Sequence, residues 1–228
     1  METVANKIYQ NIKEKIIEGT LSPGVRITEQ GIAESFKSSR TPVREAIRGL
    51  AADGFLIVKA NSTTVVRGWG QEEIIELFTL RSMLESELAA MAAINITPQD
   101  IQKLVLIQTE IELQGPNISA ENTARITPLN RDFHQIIHVA AQSERLVDLL
   151  QNTIEVPIVQ QTFRRYNPAE MTRSFGHHRE LIDALDSRDA SWAKSVMNSH
   201  IRNAKRVLMA TQSTWAAQLQ HVPSSVTT

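Results

Sequence analysis

Apolar positions in the first third of the chain recur at helical spacing. Val4, Ile8, Ile12 and Ile16 fall four apart and predict a helix over Val4 to Glu18, with Gly19 as its C-cap. Leu21-Ser22-Pro23-Gly24-Val25 follows as a Pro-Gly turn. Thr28 to Phe36 reads as a short helix with Ile32, Ala33 and Phe36 apolar, and Lys37-Ser38 turns the chain into the next one. There, Val43, Ile47 and Leu50 share one face at i, i+4 and i+7, while Arg40, Arg44 and Arg48 form a stripe on another. Ser39 is placed to cap this helix, and Pro42 falls in its first turn. Phe55 to Val58 and Thr64 to Val66 are β-branched and short, and predict two strands around Lys59 to Thr63. Three helices and a two-stranded ribbon make a winged helix-turn-helix.

After Arg67-Gly68-Trp69-Gly70 the period becomes helical throughout. Segments 71–95, 97–114, 119–141, 143–165, 168–186 and 189–218 are predicted helices. Thr97-Pro98, Gly115-Pro116 and Asn167-Pro168 separate them, and Pro128 and Pro157 are expected at helix starts or kinks. The expected fold is therefore mainly α: a winged helix over 1–68, an all-α bundle over 69–218 and a loose polar tail over 219–228.

Charge separates the two parts although the 228-residue chain carries a net charge of only −1. Residues 1–70 hold ten Lys and Arg against seven Asp and Glu; the remainder holds fourteen against eighteen. The basic surplus lies with the arginine helix, as an electrostatic footprint for nucleic acid should. A helix with one buried side, and a basic side opened by small polar residues, suits the DNA major groove. Absent cysteine excludes disulfides, thiolate metal sites and cysteine nucleophiles. The start lacks the pattern of a signal peptide and no apolar run is long enough to span a membrane, so the chain is expected in the cytoplasm.

All six histidines lie in the second part: His134, His138, His177, His178, His200 and His221. Asn130 and His134 share a helix face, and His178 and His200 come from two further helices. Such a set could aim an amide oxygen and three imidazoles at Zn²⁺, Ni²⁺ or a similar divalent ion. Scattered histidines are otherwise surface or hydrogen-bonded core residues.

Gly19-x-Leu21-x-Pro23-Gly24, Glu29-x-x-Ile32-Ala33 and Ser39-Arg40-Thr41-Pro42-Val43-Arg44-Glu45-Ala46-Ile47 resemble the N-terminal domain of GntR-type transcriptional regulators. The resemblance implies that Ser39, Arg40, Thr41, Pro42, Arg44 and Arg48 face DNA, with Thr63 at a wing that enters the minor groove. Three departures mark this chain: Gly31 stands where a charged residue is usual, Gln30 where some relatives carry a contact arginine, and Thr63 in place of the wing glycine.

Leu129-Asn130-x-x-Phe133-His134, His178-Arg179-Glu180-x-x-x-Ala184-Leu185-x-x-x-Asp189 and Met197-x-x-His200-Ile201 are similar to the ligand-binding domain of the FadR subgroup. That similarity implies a metal held by Asn130, His134, His178 and His200, with the neutral Asn130 where relatives have Asp. Asp132 points off that face, and His138 is either a cavity residue or, more in keeping with its position, a surface or structural one. Open metal positions would take the carboxylate of a small organic acid. Arg81 either pairs with that acid or forms an i, i+4 bridge to Glu85 on the helix surface.

The resulting expectation is a DNA-binding repressor that works as a homodimer on a pseudo-palindromic double-stranded operator, released by a small carboxylate effector. The alternative from the three histidines is a metal-dependent enzyme.

Overall fold

The computed structural model describes residues 3–17, 19–59, 63–117, 119–153, 162 and 165–219, with side chains to Ala210 apart from those of Lys59, Ala120 and Asn152. The predicted wing tip at 60–62, Pro157 with most of the chain after 153 in the predicted 143–165 helix, and all but the first residue of the expected tail lie outside these residues. Contacts divide the chain into two compact units, with the boundary along the sequence between Gly70 and Gln71.

The first unit contains α1 (Val4–Ile17), β1 (Arg26–Ile27), α2 (Glu29–Ser35), α3 (Arg40–Ala52), β2 (Leu56–Lys59) and β3 (Thr63–Val66). The predicted isoleucines of α1 pack with Val43, Ile47 and Leu50 of α3, and Phe55, Leu56 and Val66 close the same core. Leu50 is fully buried, a contribution of about 1.5–3 kcal/mol. Gly54 (φ +74°) ends α3 in the left-handed conformation, letting Phe55 N–H return to the Leu50 carbonyl at 2.8 Å. Gly31 has a packing reason. Thr28 caps α2 by accepting from Gly31 N–H at 3.1 Å, and a Cβ at position 31 would sit 3.0 Å from that same oxygen.

The ribbon has three strands, not the predicted two, in the order β1-β3-β2 with antiparallel pairing. β1 escaped prediction because two residues carry no alternation. It is held by the pairing of Arg26 with Val65 and of Ile27 with Thr64. The predicted Ser39 cap also fails. Ser39 is extended, but its hydroxyl makes no capping bond. Pro42 occupies the third helical position and lacks the N–H that such a hydroxyl would accept from.

The second unit contains α4 (Gln71–Asn95), α5 (Pro98–Leu113), α6 (Ala120–Ala140), α7 (Glu144–Thr153), α8 (Pro168–Asp186) and α9 (Ala190–Leu219). α4 packs against α6, α7, α8 and α9, so it carries buried residues around most of its circumference. α5 packs against α6 and α8. Thr97 and Ser119 cap α5 and α6, while Asn167 and Glu170 form a capping box ahead of Pro168 in α8. Pro128 lies inside α6, which continues through it. Arg188 donates to the Ile94 carbonyl (2.7 Å) and the Ile96 carbonyl (3.0 Å), satisfying acceptors at the end of α4. No described helix is long and apolar enough to cross a membrane.

Candidate nucleic-acid interface and metal centre

α3 turns Val43, Ala46, Ile47 and Leu50 inward, which leaves Arg40, Thr41, Arg44 and Arg48 exposed on its outer side. Ser39 is exposed at its start and Pro42 half-buried. Arg44 is not a loose cation. Its Nε donates to both oxygens of Glu29 on α2, at 3.0 and 2.9 Å. That contact orients the guanidinium while its two terminal nitrogens stay available for a bidentate acceptor. Thr63 is half-buried in β3, opposite Lys59.

In the second unit, α6 places Asn130, His134 and His138 four residues apart on one buried face. α8 supplies His178 and α9 supplies His200, both buried. One ligand atom from each of His134, His178 and His200 lies within 4.8 Å of the others. Asn130 is buried beside them in sequence register, and its Oδ1 has no hydrogen-bond partner.

Hydrogen bonds outside the cluster decide which ring nitrogens are free. Glu112 accepts two bonds from Arg179, at 2.8 and 2.7 Å, and one from Gln108 Nε2 at 2.9 Å. A carboxylate only accepts, so the Gln108 amide must point its NH₂ at Glu112 and its oxygen at His178. That oxygen lies 2.7 Å from His178 Nδ1, which therefore carries the proton. His178 Nε2 is left with a lone pair, buried and unpartnered. Phe133 stacks on the same ring at 4.1 Å between centroids and fixes its plane.

His134 follows the same logic. Its Nδ1 lies 3.0 Å from Glu85 Oε2. Burial raises the Glu85 pKa, but the Arg81 charge, the bond from His134 and the nearby His138 ring outweigh it and hold the carboxyl ionised. His134 Nδ1–H donates to it, which in a neutral imidazole leaves the lone pair on Nε2. His200 Nδ1 is likewise buried without a partner. Unpartnered buried acceptors are costly, and here several belong to groups that ligate divalent ions when neutral.

Arg81 donates through Nε and Nη2 to Glu85 Oε1, at 2.9 and 2.7 Å. The pair anticipated on a helix surface is in fact buried, with Glu85 almost fully enclosed. His138, given the reading of a surface or structural residue, is buried too, 3.6 Å from Glu85 Oε2. Asp132 is exposed and bonded to Arg131, off the cluster face as expected. His177 is half-buried, with its ring 5.9 Å from that of His200.

Sequence reasoning missed Glu85, Gln108 and Glu112 as supports of the cluster. A signal existed for Gln108: Leu104, Gln108 and Ile111 share the apolar stripe of α5, an amide at a core position.

Burial pushes His178 and His200 well below the ordinary imidazole pKa, and neighbouring imidazoles add to the shift. Both stay neutral in the folded chain, while unfolded histidines take up protons below about pH 6.5. The unfolded state then binds more protons, so stability is lost as the pH is lowered, by up to about 1.4 kcal/mol per pH unit for each histidine. Urea midpoints of chelator-treated protein should be flat above about pH 7 and drop below about pH 6.5; a flat midpoint through that window would contradict the burial of these rings.

Comparison with known proteins agrees with both halves. Residues 4–66 match the family described as bacterial regulatory proteins, gntR family, and residues 76–203 match the FCD domain. The chain is similar to the HTH-type transcriptional regulator McbR of Escherichia coli (26% identity over 185 residues, 80% of this chain and 82% of that protein). It is also similar to the HTH-type transcriptional repressor RspR of the same organism (24% identity, 88% and 87%). The solved structure of E. coli McbR/YncC shares the fold, with a TM-score of 0.67 at 22% identity, covering 93% of this chain and all of that one.

Proposed function

The chain belongs to the gntR family of bacterial regulatory proteins, with an FCD domain as its C-terminal part, and on that premise we propose that it is a repressor released from its operator by a small organic acid bound at a metal-containing site in the FCD domain. DNA binding and transcriptional regulation come with the family. Its relatives are regulators, so the metal-dependent enzyme considered from the histidines alone is set aside.

The single observation that carries the effector site is the convergence of His134, His178 and His200, with buried polar atoms left unpartnered at His178 Nε2, His200 Nδ1 and Asn130 Oδ1. These four residues would hold a divalent ion. Four neutral nitrogen and oxygen donors suit Zn²⁺ or Ni²⁺. When bound, such an ion offers Lewis acidity and open positions to a carboxylate. The protein's own part is to fix the donors. Glu85 and Gln108 hold the tautomers of His134 and His178, and Phe133 holds a ring plane. Arg81 supplies a buried positive charge for the acid, shared with Glu85.

The effector acts by binding one arrangement of a homodimer better than another, and the favoured one presents the two α3 helices at the wrong spacing for a pseudo-palindromic site. A coupling of about 1–3 kcal/mol is enough for a useful response. Metal analysis of protein purified without a histidine tag tests the site. Wild type is expected to retain close to one equivalent of Zn²⁺ or Ni²⁺ after dialysis, and His178→Ala almost none. Equal metal content in the two forms would end the metal reading.

A further inference from the structure

The geometry points to a phosphate-binding cleft on the shoulder of the DNA-binding unit, in which Arg26 contacts the DNA backbone. Arg26 lies on β1, the edge strand of the sheet, not on α3. It is exposed, whereas the neighbouring Ile27 is in the core, so alternation along the strand sends its side chain outward. Arg26, Thr28, Glu29, Gln30, Arg40 and Arg44 line one surface cleft.

The charges in that cleft are unbalanced. Glu29 is its only acid and is taken by Arg44. No side-chain hydrogen bond or ion pair joins Arg26 or Arg40 to another described residue. Two guanidinium groups therefore face the cleft without an acidic partner, beside the Thr28 hydroxyl, which accepts from Gly31 N–H and keeps its own proton to donate, and the Gln30 amide, which gives one N–H to Glu34 at 2.9 Å and keeps a second. Guanidinium, hydroxyl and amide donors match a phosphodiester in charge and geometry. The location selects the source of that phosphate. Arg40 and Arg44 belong to both the cleft and the exposed side of α3, so a duplex read by α3 runs its backbone past the residues of β1 and α2. The division of labour follows: α3 arginines reach bases, and Arg26 holds a strand in register without reading it.

The inference rests on DNA binding through α3, and its test separates the two. Anisotropy titrations of wild type, Arg26→Gln and Arg26→Lys use two duplexes: one enriched from a randomised pool by the wild-type protein, and an unselected one of equal length. A phosphate contact contributes about 0.9 to the slope of log affinity against log salt. Arg26→Gln is expected to lower the slope by about that amount between roughly 50 and 200 mM salt, with equal fractional loss on both duplexes. Arg26→Lys should retain the slope. An unchanged slope, or a loss confined to the enriched duplex, would overturn the phosphate role. Inorganic phosphate added at constant ionic strength should inhibit wild type and Arg26→Gln alike; selective inhibition of wild type with no change in slope would make the cleft a free-anion site and also overturn it. Failure of wild type to bind either duplex would sink the reading of α3 and this proposal with it.

Discussion

Glu85→Ala is expected to destabilise the chelator-treated protein by about 3–5 kcal/mol, the largest stability loss of any single change at the histidine cluster. Glu85 is 1% exposed and accepts from Arg81 and His134, with His138 close by. Removing it strands the Arg81 guanidinium, itself 7% exposed, inside the bundle. The cost is that of an uncompensated buried charge, not the small net worth of an intact pair. The double variant Arg81→Met with Glu85→Met should therefore recover most of the loss. Urea unfolding of the three proteins decides it. A loss under about 1 kcal/mol for Glu85→Ala would place the pair in contact with water, where such bridges are weak. Glu85→Gln keeps the shape but gives up the charge that holds the His134 tautomer. Its metal affinity should fall about 10–100-fold, as for other changes behind a metal ligand.

The second large effect is on DNA. Arg40→Ala is expected to weaken binding to an enriched duplex by about 5–150-fold, the equivalent of one good base contact at about 1–3 kcal/mol. Arg44→Ala should do the same. Glu29→Ala should cost less, since an exposed pair is worth about 0.2–1 kcal/mol and its work here is to orient Arg44 before DNA arrives. On an unselected duplex Arg40→Ala should lose far less, so discrimination falls along with affinity. Equal losses on both duplexes would make Arg40 a backbone contact. This contrast with Arg26 is the clearest sign of which arginines read sequence.

Much of the fold was legible because its signals are local. The arginine helix and α8 have apolar stripes, and glycines with Asn-Pro or Thr-Pro pairs mark the limits of these helices and of α4 without tertiary information. β1 was not legible, since two residues paired to a distant strand leave no period. The candidate donors His134, His178 and His200 were picked out through a resemblance, and their spacing alone would not have singled them out. Their supports were hidden for a physical reason. α4 is buried on nearly every side, so no amphipathic pattern distinguishes Glu85 or Arg81 from surface residues. The i, i+4 spacing revealed the pair but not its burial, and burial is what makes it matter.

α3 is expected to select a DNA sequence under control of a small acid sensed in the FCD domain. Capture of sheared genomic DNA from the source organism on the purified, metal-loaded protein, followed by elution with individual small carboxylic acids, measures it most directly. A few enriched fragments sharing an inverted repeat are expected, released by one acid and retained by Arg40→Ala only at the level of random DNA. Recovery of fragments in proportion to their abundance, with no acid altering their release, would contradict it.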